Sequence, residues 1–417
     1  MKLFIPLITL LMIFVIPAIS MTQVTVEEPF KGLQAVYIRP TPLTMESATQ
    51  FMADMKSWGA DEVFLEAGYD NSVLNHSEIF PPMDEENDWM KILVDEAKRQ
   101  GLKVHIWMKA GFWVHKKENI QEFPILRDHS EWIDLNREGN MVSNAGSYEE
   151  QHFIFVNLAI PEVRKALKDY VKEVAAYDID GISLDYIRFK TARSDFNTWY
   201  GYNPYSVEQF KKKTGIDPLT IKYDLSSGSD FMKWTKYNEE VIAGCVEEIR
   251  SCIDEINETS GKNIILSSSP FTGYESGKSP KFQNWRIWDN RGYIDLWLPM
   301  CMSISMDALE DEIEGVKELG LQAPYYPVVY PGQHGSLHPP MKPHHKVLMK
   351  TGIDKFAVFS YKQLKQEMPE AEVLVKKENA FPPKKMIDKK VGQESEGVKD
   401  AENYLNRLDD LLEEEGE

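Results

Sequence analysis

This sequence of 417 residues lacks several features that would assign it to a common protein class, beginning with cysteine. It has only three, an odd number: Cys245, Cys252 and Cys301. The first two are seven residues apart on a predicted helix, a rise of about 10 Å, which is too long for a disulfide bridge. We therefore expect buried thiols, and neither a disulfide framework nor a metal site.

Motifs for several other kinds of chemistry are absent as well. The sequence has no glycine-rich phosphate loop, no nucleophile elbow, and no His-x-His or Cys-x-x-Cys spacing. A metal-dependent hydrolase would need ligands converging from the proline-rich segment that holds His334, His338, His344 and His345, where most of the backbone is irregular. We expect surface histidines there and no cofactor, with His334 lining a cleft as an alternative.

Basic residues are outnumbered by acidic ones. The chain has 47 Lys and Arg against 66 Asp and Glu, a formal net charge of −19. The excess is spread over the body of the chain, and we find no local basic groove that would attract a phosphate-rich partner. Nucleic acid is therefore not an expected partner.

Long apolar runs are missing except near the N-terminus. There, Lys2 precedes the apolar run Leu3–Pro17, and Ala18-Ile19-Ser20 offers small residues for cleavage. The run is shorter than the roughly 20 residues that a membrane span needs. We expect residues 1–20 to be a signal peptide and the protein to be secreted or periplasmic, with an uncleaved anchor as the alternative.

From Gly32 onward the sequence alternates short apolar runs with longer amphipathic ones. This pattern indicates repeated strand–helix units and a parallel sheet, hence the α/β class. Eight units close a (β/α)8 TIM barrel. The eight predicted strands are Leu33–Ile38, Glu62–Ala67, Leu102–Met108, Gly181–Ile187, Ile264–Ser268, Leu296–Met300, Tyr326–Tyr330 and Phe356–Phe359.

Long loop insertions and a tail complete the predicted organisation. The barrel is expected over residues 32–375, with insertions at 111–151 and 191–230. The first insertion follows a strand's carboxyl end and should form part of a cleft wall. Residues 376–417 are expected to be a charged linker and a short amphipathic helix, which either docks on the barrel or has no partner.

The stretch Asp180–Phe189, DGISLDYIRF, predicts a fourth strand that presents one carboxylate at its exit. Gly181, Ser183 and Asp185 share one side of this strand, and the other side is apolar. Catalytic groups of TIM barrels lie at the carboxyl ends of strands. Asp185 is therefore the first candidate for catalysis. The alternatives are a solvated side chain or a partner for Arg188.

Cleavage of a glycosidic bond needs a second carboxyl group, because one donates a proton while the other acts as nucleophile or base. Glu66, at the exit of the second strand, and Glu275, beyond the fifth, are the candidate donors; Asp70 and Asp289 are weaker. Each is otherwise an ordinary surface or hydrogen-bonding carboxylate. A carboxyl partner roughly 5 to 9.5 Å from Asp185 would favour an enzyme, and burial should raise the donor's pKa.

Side chains suited to binding sugars also fall at or near the predicted strand exits. Aromatic faces stack on pyranose rings, and planar polar groups reach hydroxyls. Taken singly, each has an ordinary alternative, such as core packing for Trp107 or an ion pair for Arg39. Together they predict a carbohydrate-binding cleft that contains Tyr37, Arg39, His105, Trp107, Tyr186 and Arg188.

Several segments, taken in order, resemble the glycosyl hydrolase-like 10 domain, a family of TIM barrels allied to the alpha-amylase superfamily. The resemblance spans about Gly32 to Tyr361 and implies hydrolysis of glycosidic bonds in a polysaccharide or cell-wall glycan. It places Asp185 at the position of the strand-four carboxylate. The segments are Asp180–Phe189, Gly201–Val207, Gly101–Trp107, Asn157–Val163, Ser269–Phe271 and Gly292–Pro299.

The sequence also departs from these relatives. Amylase-type enzymes have an Arg two residues before the nucleophile and a Glu at the end of strand five, where this chain has Ser183 and Ser267 to Ser269. Many family members have Gln at the position of Glu66 and Asn at that of Lys109. The amylase mechanism is therefore not transferable. We expect a secreted glycoside hydrolase, with a catalytically inactive glycan-binding barrel as the alternative.

Overall fold

The computed structural model describes residues 30–69, 71–142, 151–192, 195–273, 280–332, 336–371 and 373. Eight parallel strands form one sheet in which chain neighbours are also spatial neighbours, and β1 pairs with β8. This confirms the predicted TIM barrel. The strands are β1 (Leu33–Ile38), β2 (Glu62–Glu66), β3 (Lys103–Lys109), β4 (Gly181–Asp185), β5 (Ile265–Ser268), β6 (Leu296–Trp297), β7 (Val328–Val329) and β8 (Phe356–Phe359).

The ring closes between β6 and β7 through two isolated parallel bridges, Trp297 with Tyr325 and Met300 with Val328. These two strands are each two residues long, shorter than predicted. The predicted segments contain Pro299 and Pro327. Proline has no N–H to donate to the ladder, so it interrupts a strand in the middle of a sheet.

Helices surround the strands. The longest, α6, begins after Ser229, whose side chain accepts from Met232 N, and ends at Gly261 in the left-handed conformation (φ 71°). The helices are α1 (Met45–Ser57), α2 (Trp89–Arg99), α3 (Pro124–Asp128), α4 (Pro161–Ala175), α5 (Pro204–Thr214), α6 (Asp230–Ser260), α7 (Trp285–Asn290), α8 (Met306–Glu318), α9 (Met341–Lys350) and α10 (Tyr361–Leu364). Among these described helices, none has the length and apolar character that crossing a membrane requires.

Strand alternation sorts the side chains into two layers. On β2, Val63 and Leu65 pack outward into the large core beneath the helices, whereas Phe64 belongs to a separate cluster inside the barrel. Glu62 and Glu66 flank Phe64 at alternate positions, so they share its inward face. The interior cluster comprises Ala35, Tyr37, Phe64, Trp107, Leu296, Leu298, Val328 and Ala357.

The first insertion is fastened to the second by a buried hydrogen-bond network. Asp134 accepts from the side-chain amide of Asn157 at 2.7 Å and from the backbone N of Gly201 at 3.0 Å. Asn203 donates to the backbone oxygen of Ile133 at 2.7 Å, and the hydroxyl of Ser206 donates to Asn157 Oδ1 at 2.9 Å. Two segments that carry the family resemblance therefore hold the loops above the barrel.

The structure tests the prediction about the three cysteines, but not the predictions about the two ends of the chain. All three cysteines are free and buried, as predicted. The signal peptide expected at residues 1–20 lies outside the described residues, and so does the tail helix expected within 376–417.

Candidate active site

The floor of the site is a layer of aromatic rings near the carboxyl ends of β1, β2, β3 and β8. The ring of Tyr37 stacks on Phe64 (centroids 4.8 Å apart), and Trp107 meets Tyr37 and Phe359 edge-on at 5.4 and 5.5 Å. The hydroxyl of Tyr37 reaches across the barrel to Ser269 Oγ at 2.9 Å. Tyr37 and Trp107 are therefore part of the floor, and their rings are almost fully buried.

Asp185 ends β4 directly above this floor and is partly exposed. Its Oδ2 accepts from Trp107 Nε1 at 2.9 Å, and its Oδ1 accepts from the backbone N of Tyr186 at 2.7 Å. Burial raises the pKa of Asp185 above its ordinary value, although these two donors and the charges of Arg188 and Lys109 act in the opposite direction. A carboxylate held in this way suits acid–base or nucleophilic chemistry.

The backbone turns sharply immediately after Asp185. Tyr186 has a φ of +50°, in the left-handed region that residues with a side chain rarely adopt. Such strain is tolerated where the surrounding structure demands it, and it is concentrated at functional sites. The turn brings the backbone N of Tyr186 onto the carboxylate and leaves the Tyr186 side chain partly exposed.

Glu66, the expected proton donor, is fully buried and paired with two cations. Arg39 Nε lies 2.6 Å from Glu66 Oε2, and Lys109 Nζ lies 2.8 Å from Oε1. Burial alone would raise the pKa of Glu66, but the charges of Arg39 and Lys109 lower it to about 2. This corrects the expected role, because a proton donor needs a raised pKa and Glu66 stays ionised.

One strand separates Glu66 from Asp185. Lys109 pairs in register with Asp185, and Trp107 with Glu66, so β3 lies between the strands that carry the two carboxylates. Two strand spacings place their backbones about 10 Å apart. Glu66 instead positions Lys109 and Arg39 at the rim.

Besides Tyr37 and Trp107, two more of the predicted sugar-binding residues are buried and do not lie in the open mouth. His105 lies one layer below Trp107, where its Nε2 is 3.1 Å from Glu62 Oε2 and its ring stacks on Phe64. Arg188 is 4% exposed, with its guanidinium facing the rings of Tyr186, Phe271 and Phe155. His105 is therefore a residue of the lower barrel interior, and Arg188 lies beneath the rim. Arg39, with 30% of its side chain exposed, does reach the mouth.

Beside Lys109 the structure contains a small cavity of about 60 Å³. Lys109 follows the same strand alternation as Trp107 and could have been predicted from it. His115 lies within an irregular insertion, and no sequence pattern indicates it. Among the residues that line the cavity are Tyr69, Asn71, Trp107, Lys109, Phe112 and His115.

Asp289, a weaker candidate from the sequence, takes no part in this arrangement. Asp289 accepts from Trp297 Nε1 at 2.8 Å and from the backbone N of Gln322 at 2.9 Å, which is a structural role. Glu275, Asp70 and His334 lie outside the described residues. Within the described residues, no group of three or more His, Cys, Asp or Glu side chains is placed to hold a metal ion.

The closed parallel barrel, with its polar groups and aromatic floor at the carboxyl ends of the strands, is a TIM barrel with a candidate active site at the face where such barrels carry their catalytic groups. The profile of the glycosyl hydrolase-like 10 family matches residues 57–316. The chain therefore belongs to the glycosyl hydrolase-like 10 family, as its segments predicted.

Comparisons with individual proteins are more distant. Over 204 residues the chain is 22% identical to an S-layer-related protein from Niallia circulans, and the match covers 45% of this chain but only 12% of that protein. Alpha-L-fucosidase isoenzyme 2 from Paenibacillus thiaminolyticus superposes with a TM-score of 0.54 and 13% identity, covering 81% of this chain and 47% of its own. The catalytic domain of beta-amylase from Paenibacillus polymyxa gives 0.53 and 12%, covering 80% and 94%. At 12 to 13% identity, the similarity to these two solved structures shows the fold of this chain and nothing about its activity.

Proposed function

We propose that this protein is a glycoside hydrolase in which Asp185 acts as nucleophile or base. The observation that carries the proposal is the position of Asp185 at the exit of β4, above an aromatic floor and between two N–H donors. Those donors fix the carboxylate in one orientation, which is what attack on a sugar carbon or activation of water requires. Membership of a glycosyl hydrolase-like family supports it.

The proton donor in this proposal is a different carboxyl group from Glu66. Glu66 remains ionised beside Arg39 and Lys109, so it has no proton to give. Glu275, which follows β5, remains the candidate donor from the sequence. Glu66 would instead hold Lys109 and Arg39 in position to contact the substrate.

The substrate is proposed to be a polysaccharide or cell-wall glycan outside the cytoplasm. The partly exposed ring of Tyr186 suits contact with a pyranose face, and the partly exposed Arg39 provides a planar polar group at the edge of the mouth. The predicted signal peptide supports export. The relative from Niallia circulans, described as S-layer-related, is consistent with a location at a cell surface.

The alternative is a barrel that binds glycans without cleaving them. One observation favours it: the carboxylate expected to complete the catalytic pair is neutralised by two cations. A binding protein needs the aromatic floor and polar rim but no facing pair of carboxyl groups. Both functions therefore predict that the protein binds glycans, but only the hydrolase is expected to cleave them.

A glycan panel assayed with wild type and Asp185→Asn tests both functions. The substitution keeps the shape of the side chain but removes its charge, and we expect hydrolysis to fall about 10²- to 10⁴-fold. Asp128→Asn is a matched control, because Asp128 is exposed and pairs only locally with Arg127. Equal turnover by wild type and Asp185→Asn would remove Asp185 from the mechanism. Binding without turnover by the wild type would favour the glycan-binding barrel.

A further inference from the structure

His115 lies just beyond the short strand Phe112–Val114, and its ring packs against two phenyl rings. Its backbone N donates to Asn71 Oδ1 at 2.8 Å. The rings of Phe112 and Phe153 approach the imidazole edge-on, with centroids at 4.9 and 5.2 Å. Phe112 and Phe153 stack on each other with centroids 4.0 Å apart, so the imidazole packs against one side of this pair and its rotation is restricted on that side.

One nitrogen of the imidazole has no partner. Among the described residues, nothing forms a hydrogen bond with Nε2 of His115, although that atom is buried. Buried polar atoms in folded proteins are nearly always paired, because an unpaired one loses its hydration without compensation. An unpaired atom beside a cavity is therefore a sign that a partner binds there.

Burial and the neighbouring charges determine the protonation state of the His115 imidazole. Burial and the charges of Lys109 and Arg39 lower the pKa of His115 to about 3, and the charge of Glu66 only partly opposes them. The ring is therefore neutral near pH 7. A neutral imidazole has one nitrogen that donates and one that accepts, which is the pattern a sugar hydroxyl can satisfy.

His115 and β3, the strand next to the candidate catalytic strand, face the same space. The cavity of about 60 Å³ is bordered by His115 and by Trp107 and Lys109 of β3. Trp107 is hydrogen-bonded to Asp185 and Lys109 pairs with it in register, so the cavity lies one strand away from the candidate catalytic carboxylate. A water needs only about 10 to 15 Å³ of such space, so the cavity has room for a hydroxyl or hydroxymethyl group.

We propose that His115 is a substrate-binding residue that forms a hydrogen bond, through Nε2, with one hydroxyl group of the sugar bound above Asp185. This inference rests on the proposed function and adds a residue that determines which sugar is accepted. A site that pairs a buried polar atom with one substrate hydroxyl rejects the analogue that lacks it, since the atom is then left unpaired.

The test uses the full chain and compares His115→Phe with His129→Phe. Phenylalanine keeps a planar ring against Phe112 and Phe153 but cannot form the hydrogen bond. His129 is the matched control, because it lies in the same insertion with 47% of its side chain exposed. The probes are D-glucose, D-galactose, L-fucose and N-acetyl-D-glucosamine, followed by the monodeoxy forms of the tightest binder, with Kd measured by calorimetry.

We expect His115→Phe to raise the Kd of the tightest binder about tenfold, and His129→Phe to leave it unchanged. One monodeoxy sugar should bind wild type and His115→Phe equally, because the contacted hydroxyl is missing. Binding by the wild type should stay constant from about pH 5 to 8, since a neutral imidazole does not titrate there. Because the substitution removes a buried unpaired atom, the melting temperature should not fall.

Three results would overturn the inference. An unchanged Kd in His115→Phe means that Nε2 contacts no hydroxyl. An equal loss of affinity for every deoxy sugar, or a lower melting temperature with the same loss, assigns His115 a structural role. If the wild type binds none of the four sugars, this inference fails, and hydrolysis of the glycan panel decides separately whether the proposed function fails with it. Binding that is indifferent to His115 overturns this inference alone.

Discussion

Asp185 and Glu66 are carboxylates at the exits of two barrel strands, but their surroundings shift their pKa values in opposite directions. Asp185 has neutral donors from Trp107 and the backbone, and burial raises its pKa. Glu66 contacts Arg39 and Lys109, whose charges outweigh burial and lower its pKa to about 2. The pKa of a carboxyl group at a strand exit is therefore decided by the charges within hydrogen-bonding distance, and not by its position alone.

Glu66→Gln should change how the free energy of unfolding depends on pH. A carboxyl group with a folded-state pKa of about 2, below its ordinary value of 4.5, stabilises the fold fully above pH 4.5. That contribution is lost as the pH falls towards 2. We expect Glu66→Gln to lower the free energy of unfolding by about 2 to 4 kcal/mol at pH 7. Urea denaturation should show this difference shrinking below pH 4.5.

The matched control for that prediction is the double variant Glu66→Gln with Lys109→Asn. Glu66→Gln alone leaves Lys109 without its 2.8 Å partner. Replacing both should therefore cost less than the sum of the single changes, by at least about 1 kcal/mol. A Glu66→Gln variant whose stability follows pH as the wild type does would show that the ion pair contributes nothing.

The site could be predicted from the sequence only in part. Strand alternation shows which face a residue occupies, and it correctly placed Asp185, Trp107 and His105 on one inward face. Strand alternation does not show how deep in the barrel a residue lies. It therefore predicts His105 near the mouth, whereas in the structure His105 pairs with Glu62 one layer below Trp107. His115 has no regular pattern around it, and only the folded chain brings it to the cavity.

At the scale of elements, the two insertions are held by side chains from segments shared with the family. Asn157 precedes α4 and Asn203 caps α5, where its side chain accepts from Tyr205 N. Both also bond the loop around Ile133 and Asp134. These asparagines therefore shape the wall of the cleft and need no role in the chemistry.

Asp134→Ala should lower the stability of the protein by breaking the network that joins the two insertions. The substitution removes the acceptor for Asn157 Nδ2 and for the backbone N of Gly201, and it leaves two buried donors unpaired. We expect a loss of about 2 to 5 kcal/mol in the free energy of unfolding, measured by chemical denaturation. The amide of Gly201 should also exchange its hydrogen faster than in the wild type.

Asp128→Ala is the matched control in the same insertion. Asp128 pairs with Arg127 at the surface, and exposed ion pairs contribute less than about 1 kcal/mol. An Asp134→Ala variant no less stable than Asp128→Ala would mean that the network does not hold the two insertions together.

The strands themselves were predicted well where their residues are apolar and free of proline. β1 and β8 have the predicted bounds, β2 ends one residue earlier than predicted, and β3 is displaced by one residue at both ends. β6 and β7 are shorter than predicted, because Pro299 and Pro327 interrupt segments whose apolar character favours a longer strand. Proline position was therefore the sequence signal that would have corrected them.

At the scale of the whole molecule, the ring has one seam that is weaker than the rest. β2 and β3 are in register along all five residues of β2. β6 and β7 are joined instead by isolated bridges, with the amides of Trp297, Tyr326 and Val328 donating across the seam. A barrel closed in this way should open first between β6 and β7, because fewer backbone bonds must break there.

Native-state hydrogen exchange tests this order of opening. We expect the amides of Tyr326 and Val328 to exchange at least about tenfold faster than those of Phe64 and Leu65 in β2, an opening free energy lower by about 1.4 kcal/mol. All four residues are hydrophobic, and all but Tyr326 are almost fully buried, so the comparison isolates the number of backbone bonds at each seam. Equal protection at the two seams would mean that the barrel opens as one cooperative unit, and that the short strands β6 and β7 impose no local weakness on the ring that carries the site.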